Sequence, residues 1–477
     1  MRMRLFLTAG LCALASGCAV GPDFHSPAPP AQTAYTAAPV QPMAAAQGLA
    51  GGTQTLSPGS GEAQWWHRFG SSELDRLIEQ ALAANTDLAA TRAGLRQARE
   101  LWLAQRGVLF PWVQGGASTS RVKGSQYLAP VPNDSTFTYS LQTAQLNVGY
   151  TLDIFGGNRR TVEQAKALYD AQAYQADAAR ITLINTVAAT AFLNASLQDQ
   201  VRDQQQIIAI QQELLSITRH QLAVGEVSGG DVLAQETQLA QAQAALPPLE
   251  RARSQSHDLL AYLTGRSAAD MPEPTLRLED INLPHALPLA LPAQLVRTRP
   301  DIRAAEANLH AASAGVGIAI ANRLPQLTIG ASAGGNSGGW STLLSAANAF
   351  WSAGAGITQP IFAGGTLLHR QRAARAAFDQ ADAQYRSTVL TAFQNVADTL
   401  AALQTDAAAV TAARKTLDSA QAMLELTQRQ QNAGATSAST VLQARIARLQ
   451  AKQALSQTGA ARLSDTAALF QALGGST

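Results

Sequence analysis

The chain has 477 residues, 46% of them hydrophobic, but only 5% are aromatic and 14% charged, with alanine and glutamine filling the gap. Such a composition suits long helices packed on small side chains better than a sheet-rich enzyme core. The net charge of +2 falls to about neutral once residues 1–17, with Arg2 and Arg4, are removed, which leaves no overall electrostatic preference for nucleic acid.

Residues 1–17 read as a bacterial export signal. Arg2 and Arg4 form its positive end, Leu5 to Leu14 its apolar stretch, and Ala15-Ser16-Gly17-Cys18 a small-residue cleavage site. The site is similar to a lipobox, in which Cys18 is lipidated and becomes the first mature residue. Position 15 is Ala where leucine is commonest, so an ordinary signal peptide cut near the same place is the alternative. Ala19 stands where an Asp would retain a lipoprotein at the inner membrane, which points outward. Cys12 and Cys18 are the only cysteines, and Cys12 lies in the signal, so the mature chain has no disulfide and no thiolate metal site. Beyond the signal there is no run of about 20 apolar residues, because Ala311 to Ala321 is short and broken by Gly315 and Gly317. A mature chain that crosses a membrane must therefore do so as a closed β-barrel, since only helices and barrels satisfy the backbone in lipid.

Residues 18–63 are rich in Pro, Ala, Gln and Gly and read as an extended tether, with order beginning at Trp65-Trp66. From there the chain is written twice, as repeat 1 (64–265) and repeat 2 (298–477), joined by an equatorial linker (266–297). Asn85-Thr86-Asp87-Leu88 matches Arg299-Pro300-Asp301-Ile302, Pro111 matches Pro325, and Gly116-Ala117-Ser118 matches Gly330-Ala331-Ser332. Ile154-Phe155-Gly156-Gly157 matches Ile361-Phe362-Ala363-Gly364, Val224-Gly225 matches Ala433-Gly434, and Asp231-Val232-Leu233 matches Thr440-Val441-Leu442. Each half reads helix, two strands, long helix, break, long helix.

The first strand pair lies within 112–151 and the second within 326–359. Leu146, Val148 and Tyr150 alternate with Gln145, Asn147 and Gly149, so one face is apolar and the other polar. These strands are long enough to cross a bilayer when tilted. Four strands cannot close a barrel, since the smallest have about eight, but three copies would supply twelve. Long helices are expected over 158–224, 231–264, 365–433 and 438–473. The first holds no proline over about 67 residues, roughly 100 Å of helix at 1.5 Å per residue. Val201, Ile208, Leu215 and Leu222 recur every seven residues, as do Ile210, Ile217 and Val224, and Val410, Leu417 and Leu424 repeat the pattern. That spacing indicates coiled-coil packing.

Four segments resemble one family, the TolC-like outer-membrane factors, and within it the OprM-like, NodT-type efflux lipoproteins. They are Cys18-Ala19-Val20-Gly21-Pro22-Asp23-Phe24, Trp65-Trp66-His67-Arg68-Phe69-Gly70 with Leu74-Asp75, Arg299 to Glu306 running on to Leu324-Pro325, and Gly225 to Ser228 with Asp231 to Gln235. The resemblance implies a mainly α fold with membrane β-strands: a homotrimer whose twelve-stranded barrel continues into a periplasmic α-helical tunnel. It also implies a passive duct that is no enzyme, held in outer-membrane lipid and fed by an inner-membrane RND-type pump through a periplasmic adaptor. The tips that meet the adaptor would be Val224, Gly225, Glu226, Val227 and Ser228, with Ala433, Gly434, Ala435, Thr436 and Ser437. Polar contacts just above the tips close the tunnel in this family. Asp231, Gln431, Thr440, Gln443 and Arg445 are the candidates, although Asp231 is equally placed to cap a helix. Some relatives carry a ring of aspartates in the second half, and Thr440 and Gln443 do not supply one.

No enzyme site emerges from the residues. His25, His67, His220, His257, His285, His310 and His369 show no paired ligand spacing, so no metal or cofactor is expected. Gly334 to Gly339 lacks the ending of a phosphate loop, and no Gly-x-Ser-x-Gly setting occurs. Two other functions stay open: the outer-membrane exit of a type I protein secretion system, and a lipid-anchored periplasmic coiled-coil scaffold. The scaffold would leave the paired amphipathic hairpins without a role.

Overall fold

The computed structural model describes residues 19–37, 40–59, 61–123 and 138–474. The export signal and Cys18 lie outside the described residues. The strands are β1 (Met43–Ala45), β2 (Gly52–Pro58), β3 (Trp112–Lys123), β4 (Thr138–Leu152), β5 (Ala286–Leu289), β6 (Gln326–Ser337) and β7 (Ala349–Thr358). The α-helices are α1 (Ser72–Ala84), α2 (Thr86–Arg106), α3 (Gly157–Ala223), α4 (Gly229–Leu263), α5 (Pro292–Thr298), α6 (Pro300–Ala321), α7 (Thr366–Asn432) and α8 (Ala438–Ala472). Local chemistry sets several of these starts. Ser71 accepts from the Leu74 N–H at α1, and the Asn85 side chain accepts from the Leu88 N–H at 2.9 Å at α2.

One compact unit comprises the N-terminal residues through Pro27, Leu95–Gln172 and Ala305–Tyr385. Its sheet is antiparallel in the order β3-β4-β6-β7, so the two hairpins meet along β4 and β6. The register runs from Trp112 opposite Gly149 in the first hairpin, through Leu146 opposite Ala333 at the seam, to Gln326 opposite Thr358 in the second.

The other unit comprises Ala28–Gly94, Ala173–Ala304 and Arg386–Thr477. Trp65, Trp66, Phe69, Phe192 and Phe470 are buried at its core, with Trp65 stacked on Phe470 at 5.2 Å and Phe69 5.2 Å from Phe192. Further along the helices, Ile207, Leu214, Ala242, Leu442, Ile446 and Leu449 form one buried cluster, and Leu424, Val441 and Ala444 another. Most of the heptad positions are buried or packed on a core. Val201 and Leu215 are buried, Ile208, Ile210 and Ile217 pack against the cluster of Ile207 and Leu214, and Val410, Leu417 and Leu424 join the clusters of α7. Only Leu222 and Val224, near the end of α3, are exposed.

Two readings change. The N-terminal segment is no plain tether: β2 pairs antiparallel with β1 and parallel with β5, and Met43 and Ala50 are buried. Small and proline-rich residues conceal a strand, β2, whose second partner β5 lies more than 200 residues away. The repeat is also offset differently from the Phe-Gly match. The left-handed glycine before α3 is Gly156 (φ 77°) and that before α7 is Gly365 (φ 82°), and both helices are 67 residues long. At the offset of 209 that aligns these two helices, the matched Ile-Phe pairs stand two residues out of step.

Candidate functional site

The four-stranded sheet has two chemically distinct faces. Pairing places Val113, Val148, Ala331 and Ala353 in one row across it, followed by Tyr150, Ile329 and Ala355, and then Leu152, Leu327 and Ile357. The opposite face carries Gln114, Asn147, Ser332 and Ser352 in one row, with Ser332 Oγ and Ser352 Oγ 2.7 Å apart. Gln145 donates to Asn147 at 3.0 Å and Thr143 to Asn336 at 2.9 Å on that face. Val113, Leu146, Trp351 and Ile357 are exposed on the apolar side. A sheet with one oily face, one hydrogen-bonding face and strands of 10 to 15 residues fits lipid outside and water inside. Among the described residues, no helix is long and apolar enough to cross a membrane.

The residues directly after Cys18 are held at the end of this sheet where β4 passes into α3. The Val20 N–H donates to the Phe155 carbonyl at 2.9 Å, and Arg160 Nε donates to the Val20 carbonyl at 3.2 Å. The buried Arg160 also binds Asp23 at 2.6 Å and Glu163 at 2.8 Å. Glu163 in turn meets His310 at 2.8 Å, and Phe24 stacks on the His310 ring at 4.4 Å. Gly21 lies at φ 97°, and a Cβ there would fall 2.5 Å from the Gly317 Cα, so both glycines are needed for the backbones to touch. This contact gives Val20, Gly21, Asp23 and Phe24 a physical role in the stretch that stands out in the sequence. Gly317 as its receptor was not legible there.

Both expected tips are αL-capped helix ends of the same design. In the first, Gly225 (φ 82°) donates to the Leu222 carbonyl at 3.0 Å and Glu226 to the Gln221 carbonyl at 2.8 Å. In the second, Gly434 (φ 72°) donates to the Gln431 carbonyl at 2.9 Å and Ala435 to the Gln430 carbonyl at 2.8 Å. Each is a Schellman motif, which satisfies the last carbonyls of a long helix. Val224, Gly225, Glu226, Ser228, Ala433, Gly434, Ala435 and Ser437 are exposed, and Val227 and Thr436 half-buried. Leu222, Val224 and Leu233 add exposed apolar surface at the first tip.

The gate candidates separate in their chemistry. Asp231 completes a capping box: its carboxylate accepts from the Ser228 N–H and the Ser228 hydroxyl, both at 2.8 Å, while Ser228 caps α4. Those bonds, led by the hydroxyl, hold the Asp231 carboxyl below its ordinary range. Thr440 is the matching residue at α8, where Ser437 Oγ accepts its N–H without any carboxylate. Gln431 is half-buried in the last turn of α7, and Gln443 and Arg445 are exposed near the start of α8.

A buried arginine was missed in the sequence reading. Arg462 on α8 donates to the carbonyls of Met43 and Ala50 at 2.9 Å each and of Gly52 at 3.1 Å, and to the Gln54 side chain at 3.2 Å. It thereby fixes β1 and β2 against the helices. Beside it, burial first and the neighbouring Asp465 on α8 second push the Asp406 carboxyl on α7 up to about 7. Only a long-range contact shows these side chains as one group, and no spacing in the sequence carries it.

Comparison with known proteins agrees with this geometry. The family described as Outer membrane efflux protein matches residues 77–266 and 291–475. The chain is 30% identical over 445 residues to the pyoverdine export outer membrane protein OpmQ of Pseudomonas putida, covering 91% of this chain and 94% of that one. It is 31% identical over 469 residues to the solvent efflux pump outer membrane protein SrpC of Pseudomonas putida, covering 96% and 95%. Among solved structures, the outer-membrane channel OprN superposes with a TM-score of 0.82 at 27% identity, over 96% of this chain and 99% of that one. The Campylobacter jejuni CmeC outer membrane channel shares the fold, with a TM-score of 0.83 at 22% identity over 96% and 95%. The two-faced sheet, the paired long helices and these matches agree, and the chain belongs to the outer membrane efflux protein family, as an outer-membrane channel of TolC-like fold.

Proposed function

We propose that the chain is the passive exit duct of a tripartite efflux pump, working as a homotrimer and performing no chemistry of its own. The observation that carries this reading is the four-stranded sheet with an apolar and a polar face and two open edges. Such a sheet is complete only when copies close it around water, and three copies bring it to twelve strands. Cys18 carries the lipid anchor, and the residues that follow it directly, 19–24, dock on the β4–α3 junction. The tips at Gly225 and Gly434, rigidly capped and carrying exposed Val224 and Leu222, meet a periplasmic adaptor that joins the duct to an inner-membrane RND-type pump. Asp231, Gln431, Thr440, Gln443 and Arg445 stand within the first turns above the tips, where contacts between copies would narrow the entrance. Of these, Gln443 and Arg445 suit gating best, because the Asp231 carboxylate already serves its own helix.

The cargo is small and toxic, of the kind named for the solvent, toluene and antibiotic efflux relatives. Deleting the gene in its host tests this. Increased susceptibility to a panel of solvents and antibiotics, with the secreted-protein profile unchanged, supports the pump reading. A lost secreted protein with unaltered susceptibility would assign the chain to protein secretion instead.

A further inference from the structure

Among the described residues the sheet ends in two unpaired edges, since β3 bonds only to β4 and β7 only to β6. We propose that β7 of one copy closes on β3 of the next in the register that β4 and β6 already show within the chain, with Ala355 opposite Thr119 of the neighbouring copy. The inference rests on the homotrimer reading and gives that assembly a definite seam.

The internal repeat supplies the argument. Each half runs helix, strand, strand, long helix, so the seam between hairpins inside one chain and the seam between chains are the same contact in two settings. Two offsets relate the halves, 214 for the helix and first strand (Pro111 to Pro325) and 209 for the second strand and long helix (Gly156 to Gly365). They can be checked where both pairings are visible. Moving Trp112 by 214 and Gly149 by 209 turns a β3–β4 pair into Gln326 and Thr358, which are partners in β6–β7.

Applied to the β4–β6 seam, the same offsets carry Leu146 opposite Ala333 to Ala355 opposite Thr119. They carry Gln142 opposite Ser337 to Trp351 opposite Lys123, and Gly149 opposite Gly330 to Thr358 opposite Gly116. The side-chain faces agree independently. Ala355 shares a row with Tyr150 and Ile329, and Thr119 lies opposite Gln142, two pleats from Leu146 on that same face. Any register shifted by one residue would set the apolar face of one copy beside the polar face of the next. Only slips by an even number of residues compete, the nearest being two.

The helices beside the sheet give a second, separate indication. Inside the chain, α3 meets α6 so closely that a Cβ on Gly157 would lie 3.0 Å from the Ala321 Cβ. The same offsets turn that pair into Thr366 and Gly107, and a Cβ on Gly107 would meet nothing within 4 Å in a single copy. The close approach again uses one glycine, now with its partner side empty. Phe110, Trp112, Ile361 and Phe362 flank this seam, and all four are exposed in one copy.

Cysteine pairs test the register, because Cys18, the only cysteine of the mature chain, is acylated in this reading. The matched pairs are Thr119→Cys with Ala355→Cys and Val122→Cys with Ser352→Cys, one from each of the two antiparallel pairing classes. The slipped controls join Ala355→Cys to Ala117→Cys or Arg121→Cys. All are oxidised in membranes and run on non-reducing gels, and oligomer mass in detergent is measured for each. At least one matched pair closes to a covalent trimer about tenfold faster than either control, since diagonal neighbours sit too far apart for a disulfide. A trimer by mass in which a slipped pair closes fastest, or in which none closes, overturns the register and leaves the homotrimer standing. A monomer by mass that never cross-links overturns the homotrimer reading itself.

Discussion

Trp65 and Trp351 are the same residue in opposite circumstances: the first is 1% exposed among Phe69 and Phe470, the second 80% exposed on the sheet. The helical unit completes its core with its own chain, drawing on α1, α8, the loop before β5 and even the N-terminal strands that Arg462 grips. The sheet unit leaves both edges unpaired among the described residues, and Val113, Leu146, Val148, Trp351 and Ile357 stand exposed on its apolar face. Burial of apolar area is the main driving force for folding in water, so an exposed row signals a surface finished by something else. Here the candidates are lipid on one face and copies of the chain at both edges. One molecule thus holds a part whose stability is intrinsic and a part whose stability is borrowed from its surroundings.

That contrast can be broken most forcefully at the two tryptophans. Trp65→Ala removes a buried ring and leaves a cavity, at a cost of about 3–5 kcal/mol to the helical unit. Trp351→Ala leaves the same helical melting transition almost unchanged. Thermal unfolding of the detergent-solubilised protein, followed by far-ultraviolet circular dichroism, measures both. Equal losses would mean that the sheet is part of the same cooperative core.

A next test separates the two faces of the sheet. Val148→Lys sets a charge on the apolar face and costs about 2–4 kcal/mol of membrane stability if it lies near the bilayer midplane. Asn147→Lys, one residue away on the polar face, leaves insertion intact and changes ion selectivity. Membrane fractionation and reversal potentials in planar bilayers report the two effects. An Asn147→Lys chain that fails to insert while Val148→Lys inserts would reverse the assignment of the faces.

The smallest effect sharpens the account of the helical unit. Asp406 is raised to about 7 by burial first and then by the neighbouring Asp465, against an ordinary carboxylate value of 3.8. The folded chain therefore holds a proton that the unfolded chain has released, and its stabilising contribution is full below the unfolded value. It is lost as pH climbs from about 4 towards 7, after which this group adds no slope. Asp406→Asn keeps the hydrogen-bonding shape without the titration, and it flattens the fall in melting temperature over that window. An unchanged slope would show that Asp406 is ionised throughout.

Much of the fold was legible because it rests on period and repetition. Leu146, Val148 and Tyr150 against Gln145, Asn147 and Gly149 encode a two-faced strand directly, since side chains alternate at every residue. Long helices without proline, ended by Val224-Gly225 and Ala433-Gly434, needed only the rule that glycine takes the left-handed turn. What escaped depends on partners far away in sequence. Nothing near Met43 or Gly52 announces a strand, because the groups that order them are Arg462 and β5. Gly317 looked like a break in an apolar run, yet it is the floor on which Gly21 rests. At the candidate gate, Asp231 stood equally for a cap or a gate, and the 2.8 Å bonds from Ser228 give the cap its geometry. At Phe155 a short local match with Phe362 conflicts with the offset that the equal lengths of α3 and α7 set, and those lengths are a property of the fold rather than of any local motif.

The central claim is that a sheet incomplete in one copy becomes a water-filled channel in three. Single-channel recording of the purified protein in planar bilayers, with its oligomer mass determined in the same detergent, tests this most directly. The account predicts a trimeric mass and discrete, repeatable conductance steps. A stable monomer that never conducts would contradict it and leave the helices as a lipid-anchored periplasmic scaffold.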